Sequence, residues 1–185
     1  MNNINKIKQL VKKECDEFMG ANNWFYENHL LAVEKAAKFL LSNLPKANRE
    51  VVLLGVWLHD LQRVRNIDGD HQKIGAREAG KVLKDFGYDA KTISRVKEMI
   101  LSHACYSIMP KTIEAKILAS ADAMSHYEND FYLRIATTGE VPAEDYNKGA
   151  LEKLDRDYNK KIFFPFAKKK IESRHKSLMK VFMMK

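Results

Sequence analysis

The chain contains few residues that interrupt helices or cross-link a fold. Its 185 residues include only four prolines, eight glycines and two cysteines. The two cysteines, Cys15 and Cys105, match no zinc-binding spacing and suggest no disulfide framework. Low proline and glycine, with plentiful Lys, Glu, Leu, Ala and Ile, favours helix. We therefore expect an all-α protein, and this length fits a single domain over residues 1–185 with a full hydrophobic core.

Long apolar runs are also missing. None approaches the roughly 20 residues that a membrane-spanning helix needs. The first residues, MNNINKIKQLVKKECDEF, are charged throughout and do not resemble a signal peptide. These features predict a cytoplasmic protein without a membrane partner.

Acidic residues are outnumbered, with 24 Asp and Glu against 32 Lys and Arg, a formal charge of +8. An excess of positive charge of this size could favour binding to nucleic acid, to an anionic membrane surface or to a phosphorylated small molecule. The basic residues are spread along the chain apart from the run Lys168–Lys170, and spread charge is typical of a solvated surface. Charge alone therefore does not choose a partner.

Apolar residues recur at helical spacing, and no segment shows the alternation of a strand. The pattern predicts a bundle of seven or eight helices, over 2–19, 28–43, 49–60, 71–86, 89–104, 112–137, 143–160 and 165–184. Asn48, Asp70 and Thr112 are suitable N-caps. An Asp-Gly turn precedes the helix that begins near residue 71.

Four of the six histidines fall at or near predicted helix ends, namely His29, His59, His71 and His103. Asp60 follows His59 at the end of the most apolar predicted helix. Burying such a pair costs several kcal/mol unless each group finds a partner, in the range of about 2–7 kcal/mol for a polar group.

One more carboxylate, Asp122, lies in the small-residue stretch ILASADAMS, where helices can approach closely. A lone histidine at a helix C-terminus usually acts as a cap or dipole partner. Convergence of the four histidines and two aspartates would instead form a metal site, and imidazole with carboxylate suits Zn, Fe, Mn, Ni or Co better than Ca. The spacing leaves both interpretations open.

These segments resemble the HD-domain superfamily of metal-dependent phosphohydrolases, in its small stand-alone bacterial form. The ligand order of that superfamily is a first His, then His-Asp, then a later Asp. His29, His59, Asp60 and Asp122 match it. The resemblance implies a metal-binding core over about residues 25–130, with a helix at 2–19 and helices at 143–184 packed on it. It also implies a divalent transition metal, with Mg as an alternative.

The resemblance implies roles for two further histidines. His71 and His103 would bind a second metal with Asp60 as the bridge, or would act on the substrate phosphate as general acid or charge stabiliser. One ion is the expectation and two the alternative. Ala104 follows His103 where one branch of the superfamily has a second histidine. That branch, which cleaves cyclic dinucleotides, also has a GYP motif that is absent here, so its activity is not expected.

The predicted function is hydrolysis of a phosphate ester or anhydride of a nucleotide or similar small phosphorylated metabolite, by metal-activated water. The expected catalytic residues are His71, His103, Arg63 and Asp60. Arg63 lies about one helical turn after Asp60, and its guanidinium could grip phosphate oxygens. Lys73 and Arg77 are weaker candidates, because both could equally face solvent.

Three other features bear on the predicted pocket. The aromatic run Trp24–Tyr26 is assigned mainly to core packing, with a pocket wall as the alternative. Tyr106 and Met109 are candidates for the pocket rim. His126, one helical turn after Asp122, is assigned to ordinary packing rather than to support of the ligands.

Other functions stay open at this point. The chain could be a metal- and nucleotide-binding regulator without turnover, or could use a di-iron pair with oxygen. A nucleic-acid-binding helical module would account for the +8 charge, but the basic C-terminal segment has an ordinary amphipathic pattern. Nucleic acid is therefore not the expected partner. Homodimers are a common feature of the superfamily.

Overall fold

The computed structural model describes residues 3–19, 24–132 and 143–183, and within these ranges the chain is helical with no strand. The all-α prediction is therefore confirmed. The described elements are α1 (Asn3–Phe18), a π-helical turn (Tyr26–Leu30), α2 (Leu31–Asn43), α3 (Arg49–Leu58), α4 (Leu61–Val64), α5 (His71–Asp85), α6 (Ala90–Ser102), α7 (Ile113–Glu128), α8 (Ala143–Arg156), a second π-helical turn (Asp157–Lys161) and α9 (Pro165–Met183).

The predicted N-caps fix where three of the helices begin. The side chains of Asn48, Asp70 and Thr112 accept hydrogen bonds from backbone N–H groups in the first turns of α3, α5 and α7. Gly69 adopts a φ of +119° just before Asp70, a conformation that favours glycine. This turn and cap place His71 at the first position of α5.

Two predicted helices end or change earlier than expected. The predicted continuation of α7 past Glu128 is interrupted, because Asn129 is extended and its side chain accepts from the backbone N–H of Phe131. Phe131 and Tyr132 are helical again. A short polar side chain that bonds to nearby backbone competes with the helix. The predicted helix 143–160 is interrupted after Arg156 by the second π-helical turn.

Some predicted features cannot be compared. The predicted helix ends at residues 2 and 184, the predicted helical residues 133–137 and the predicted break at residues 138–142 lie outside the described residues. The division of the chain into a core with two packed flanking regions stays a prediction.

The centre of the bundle is formed by α3 and α7. All residues from Val51 to Leu58 in α3 are buried, and so is almost every residue of α7. A helix buried on all sides lies inside a core. Ala115, Ala119 and Ala123 leave room for the neighbouring helices, and α2 packs against α7 while α5 packs against α6. The middle of α7, which carries Asp122, is therefore the most enclosed part of the fold.

The buried side chains form one continuous apolar cluster, which extends from Ile7 in α1 to Phe182 in α9. Among the described residues, no helix is long and apolar enough to cross a membrane.

Substitution of Gly75 tests the close packing between α5 and the end of α3. A Cβ at this position would lie 3.0 Å from the backbone carbonyl oxygen of His59. We expect Gly75→Ala to lower the free energy of unfolding by about 1–2 kcal/mol, as overpacking does. The measurement is denaturant unfolding followed by circular dichroism.

The matched control is Gly149→Ala, because an added Cβ there meets no atom within 4 Å and the position is an exposed site in α8. This variant should gain about 0.5–1 kcal/mol from its better helix propensity. Equal effects of the two substitutions would contradict the close packing at Gly75.

Candidate metal centre

The four residues predicted to bind the first metal meet at one point although they come from three separate segments. His29 lies in the first π-helical turn, His59 and Asp60 follow α3, and Asp122 lies in α7; all four are buried. His29 Nε2 lies 3.1 Å from Asp60 Oδ2 and 3.7 Å from Asp122 Oδ1. His59 Nε2 lies 3.5 Å and 4.0 Å from the same two oxygens.

The two histidines predicted for a second ion lie on the other carboxylate oxygen of Asp60. His71 Nε2 is 3.1 Å from Asp60 Oδ1 and 3.3 Å from His103 Nε2. The Asp60 carboxylate therefore stands between two groups of imidazoles, as a bridging ligand would. The ligand roles themselves stay predictions.

For two of these imidazoles, a backbone carbonyl of the preceding helix determines which ring nitrogen carries the proton. His59 Nδ1 lies 2.8 Å from the carbonyl oxygen of Val56, and His103 Nδ1 lies 2.6 Å from that of Ile100. A carbonyl oxygen only accepts, so each Nδ1 carries the proton and donates it. Each Nε2 then points its lone pair into the cluster, which is the arrangement of histidines that bind metals.

In the other two imidazoles, His29 and His71, a neighbouring side chain determines which ring nitrogen carries the proton. Ser125 Oγ donates to the carbonyl oxygen of Asp122 and is 3.3 Å from His29 Nδ1, so it accepts from His29. His71 Nδ1 lies 3.2 Å from Gln62 Oε1, and the amide nitrogen of Gln62 donates to a backbone carbonyl, which fixes the amide orientation. In these tautomers all four Nε2 atoms can present a lone pair to a metal ion.

The protonation states of the residues in this cluster favour the binding of a cation. Burial lowers the pKa of His59, and lowers that of His103 to about 3, so both rings are neutral. Burial opposes ionisation of Asp60, but the neighbouring imidazoles hold its pKa well below the usual value. A divalent ion at this position would replace the protons that lie between the imidazole nitrogens and the Asp60 oxygens.

A buried nitrogen atom without a hydrogen-bond partner also supports a metal ion within the cluster. His59 Nε2 is fully buried and has no hydrogen-bond partner among the described residues, which is costly in a folded protein. The donor separations also match those of ligands that share one ion at bond lengths of about 2.0–2.2 Å. The residues present therefore fit a divalent metal ion.

Apart from Arg63, sequence reasoning missed the basic residues that surround this cluster. Lys161, in the second π-helical turn, is only 2% exposed, and its Nζ is 2.5 Å from Asp122 Oδ2. Burial disfavours its charge, but Asp122 and Asp157 outweigh burial and raise the pKa of Lys161. Lys161 therefore binds one oxygen of Asp122 and leaves Oδ1 facing His29 and His59. No local pattern links Lys161 to Asp122.

The cluster opens into a cavity of about 740 Å³. Besides the ligand-type residues, its lining includes four aromatic rings and four basic side chains, namely Trp24, Phe25, Tyr106, Phe131, Arg63, Lys153, Arg156 and Lys161. The short helix α4 places Arg63 there, because its apolar residues Leu61 and Val64 are buried against the core.

The weaker candidates fall into two groups. Tyr106 lines the cavity, and its hydroxyl accepts from Arg156, while Tyr26 packs on Trp57 in the core. Met109 is exposed and does not belong to the lining residues of the described chain.

Lys73 and Arg77 have the surface role that was the alternative for both. Lys73 pairs with Asp70 and Arg77 with Glu78, and both side chains are more than half exposed. Neither residue lines the cavity within the described part of the chain.

The segment that contains this cluster also defines the family. The HD domain family profile matches residues 26–126, which include all six ligand-type residues from His29 to Asp122. The chain therefore belongs to the HD-domain family, and the resemblance inferred from the ordered His and Asp residues is confirmed.

Similar proteins agree with this assignment. The fold matches the crystal structure of an HD-superfamily hydrolase from Bacillus thuringiensis, with a TM-score of 0.69, 21% identity, and coverage of 97% of this chain and 92% of that one. Two relatives are called 3′-5′ exoribonuclease YhaM. The one from Bacillus velezensis is 28% identical over 124 residues and the one from Listeria innocua is 26% identical. The match covers 55% of this chain and 40% of the length of each of these relatives.

Thermal unfolding tests whether the cluster binds a metal. A divalent ion at about 100 times its Kd stabilises the folded state by about 2.7 kcal/mol. For a chain of this length, that predicts a rise in Tm of about 5–10 °C when Mn²⁺ or Co²⁺ is added to chelator-treated protein.

The variant Asp60→Asn should lose most of this shift, because the carboxylate between the two imidazole groups is gone. Asp85→Asn, at the exposed end of α5, is the matched control and should keep it. A wild-type protein without any metal-dependent shift would contradict the metal centre.

Proposed function

We propose that the protein is a metal-dependent phosphohydrolase that acts on a phosphate ester or anhydride of a nucleotide or similar small phosphorylated metabolite. The observation that carries this proposal is the composition of one cavity, in which five of the six predicted metal-ligand residues adjoin four basic side chains and four aromatic rings. Ligands, anion-binding groups and stacking surfaces together suit this substrate class.

The metal would be held by His29, His59, Asp60 and Asp122, with a second ion held by Asp60, His71 and His103. When bound, a divalent ion such as Mn, Fe, Co, Ni, Zn or Mg supplies Lewis-acid polarisation of a phosphoryl oxygen and a water of lowered pKa. The chain's own part is to orient the carboxylates. Lys161 does so for Asp122 by binding its Oδ2 atom.

Arg63 is the basic residue best placed to meet the phosphate. Its side chain is 58% exposed, yet its Nε lies 3.7 Å from Asp60 Oδ1, so it joins the ligand cluster to the open part of the cavity. A guanidinium offers paired donors that match phosphate oxygens. Arg156, whose guanidinium lies 4.5 Å from the centre of the Tyr106 ring, supplies a second such group at the cavity wall.

His71 is the most accessible of the imidazoles in the cluster, with a side chain 23% exposed against 3% or less for His29 and His59. Where only one ion is bound, its Nε2 atom would be free to bind the phosphoryl group or to transfer a proton to the leaving oxygen. His103, behind it, would orient that nitrogen through their 3.3 Å contact.

The aromatic part of the lining favours a substrate with a flat ring. Trp24, Phe25 and Phe131 pack edge to face in one group beside His29. Such rings stack on nucleobases by about 1–3 kcal/mol per base. A volume of about 740 Å³ also lies within the usual range for small-molecule pockets.

The names of two relatives favour a second candidate, removal of nucleotides from the 3′ end of RNA. The bond cleaved would again be a phosphate ester, so the same residues would serve. A small substrate is the better-supported choice, because the match covers less than half of those relatives' length.

A substrate panel separates these candidates. The panel contains nucleoside mono-, di- and triphosphates, sugar phosphates and a short oligoribonucleotide, each with Mn²⁺, Co²⁺, Ni²⁺, Zn²⁺ or Mg²⁺. We expect turnover of a nucleotide, and a fall of about 100-fold or more in Asp60→Asn, since even residues behind metal ligands cost 10–100-fold.

Shortening of the oligoribonucleotide alone would establish the exoribonuclease instead. Tight nucleotide binding without turnover would indicate a regulator. An inactive protein that binds no member of the panel would contradict the proposal.

Arg63→Ala tests the phosphate contact. We expect kcat/KM to fall about 10- to 100-fold, the equivalent of roughly 1.4–2.7 kcal/mol for a lost charged hydrogen bond. Arg63→Lys should restore only part of the activity, because an ammonium lacks the paired donors.

The matched control is Arg77→Ala, which removes an exposed guanidinium outside the cavity. Both variants should keep the metal-dependent rise in Tm. Equal activity of Arg63→Ala and Arg77→Ala would remove Arg63 from the site.

A further inference from the structure

His126 has a more unusual environment than the packing role expected from its position. It is buried, and it lies one helical turn after Asp122 on the same face of α7. Its Nδ1 atom lies 2.8 Å from Asp157 Oδ2, and its Nε2 atom lies 3.5 Å from Asp122 Oδ1. The ring therefore stands between two buried carboxylates.

The carboxylate behind His126 acts only as an acceptor. Asp157 is completely buried, with Lys153 Nζ 3.0 Å from its Oδ2 and Lys161 Nζ 3.9 Å from its Oδ1. Burial opposes its ionisation, but the two lysines outweigh burial and hold the pKa of Asp157 well below its usual value. An ionised carboxylate accepts hydrogen bonds and cannot donate them.

Because Asp157 can only accept, the proton of His126 lies on Nδ1, the nitrogen that faces Asp157. Nδ1 must donate to Asp157, since the carboxylate can only accept. Lys153 Nζ is also near, at 3.2 Å from Nδ1, but a protonated ring nitrogen cannot accept from it, so Lys153 donates to Asp157.

The lone pair of His126 Nε2 consequently faces the oxygen of another carboxylate. Asp122 Oδ1 is also approached by His29 Nε2, at 3.7 Å, and the rings of His29 and His126 are nearly parallel, 5.5 Å apart. His29, Asp122 and His126 bring their ligand atoms within 4.8 Å of one another. This donor set shares His29 with the set of His29, His59 and Asp60. Because one imidazole nitrogen offers one lone pair, both sets would meet at the same ion.

We propose that His126 is a metal ligand, which completes a binding triad with His29 and Asp122, and that Asp157 is the positioning residue that holds its ring in the metal-binding tautomer. The inference rests on the metal-dependent function proposed above and adds a ligand to it. Carboxylate–histidine–metal chains of this kind are a general feature of metal sites, and loss of the outer partner weakens binding 10- to 100-fold. A merely structural pair would not affect metal binding.

The test is titration of chelator-treated protein with Co²⁺, followed by calorimetry and by the visible absorption of the bound ion. His126→Gln should either lose one equivalent of Co²⁺ or bind at least 10-fold more weakly, with a changed spectrum. Asp157→Asn should weaken binding about 10-fold, because an amide can donate to Nδ1 and turn the lone pair away. His175→Gln, in α9 and stacked on Tyr158, is the control and should bind as wild type does.

Folding of each variant is checked by circular dichroism in the presence of chelator. If His126→Gln fails to fold, nitrogen-15 NMR of histidine-labelled wild-type protein gives the answer, since Zn²⁺ should shift the Nε2 resonance of His126. An unshifted resonance would overturn the inference.

The two proposals fail in different ways. Wild-type protein that binds Co²⁺ but whose His126→Gln variant keeps the same stoichiometry, affinity and spectrum would overturn the role of His126 alone. Wild-type protein that binds no Co²⁺ would overturn the metal-dependent function together with it.

Discussion

The burial of two ionised carboxylates, Asp60 and Asp122, is the constraint on which the rest of the structure depends. An ionised group without partners in the core is far more costly than a buried polar group. The chain reduces this cost with imidazoles at the ends of three helical segments and with the ammonium group of Lys161 on Asp122. The Nδ1 atom of each imidazole in turn contacts a backbone carbonyl or a polar side chain. The positions of the helices that carry these histidines are therefore coupled to the two carboxylates.

The helix ends that carry the ligand-type residues could be predicted, because residues close to each end in the sequence mark it. The apolar run that ends at His59, the N-cap Asp70 before His71, and the small residues around Asp122 each act within a few residues. The order of the histidines and aspartates then indicated the family. The same local patterns account for most of the helices, and they failed where one side chain decided the outcome, as at Asn129, whose backbone contacts end α7.

The basic residues other than Arg63, and the tautomers, could not be predicted because they depend on contacts between distant parts of the chain. Lys161 meets Asp122 across 39 residues, and Asp157 meets His126 across 31. Periodicity shows which face of a helix is apolar, but not which charged residue of another segment that face will meet. The interruption of α8 by a π-helical turn also changes the direction of the side chains that follow, and nothing in the local sequence marks it.

The balance of charge in the cavity favours an anionic ligand over a neutral one. Three carboxylates and four basic side chains lie in or directly behind the lining: Asp60, Asp122, Asp157, Arg63, Lys153, Arg156 and Lys161. Lys153 and Lys161 are paired closely with carboxylates, whereas Arg63 and Arg156 approach Asp60 and Asp157 only at 3.7 Å and 3.8 Å and also line the cavity. Binding of one divalent ion adds positive charge that no protein group is left to neutralise. Because like charges in a poorly hydrated site repel strongly, an anionic ligand stabilises the loaded cavity, and its charge directs it to the metal.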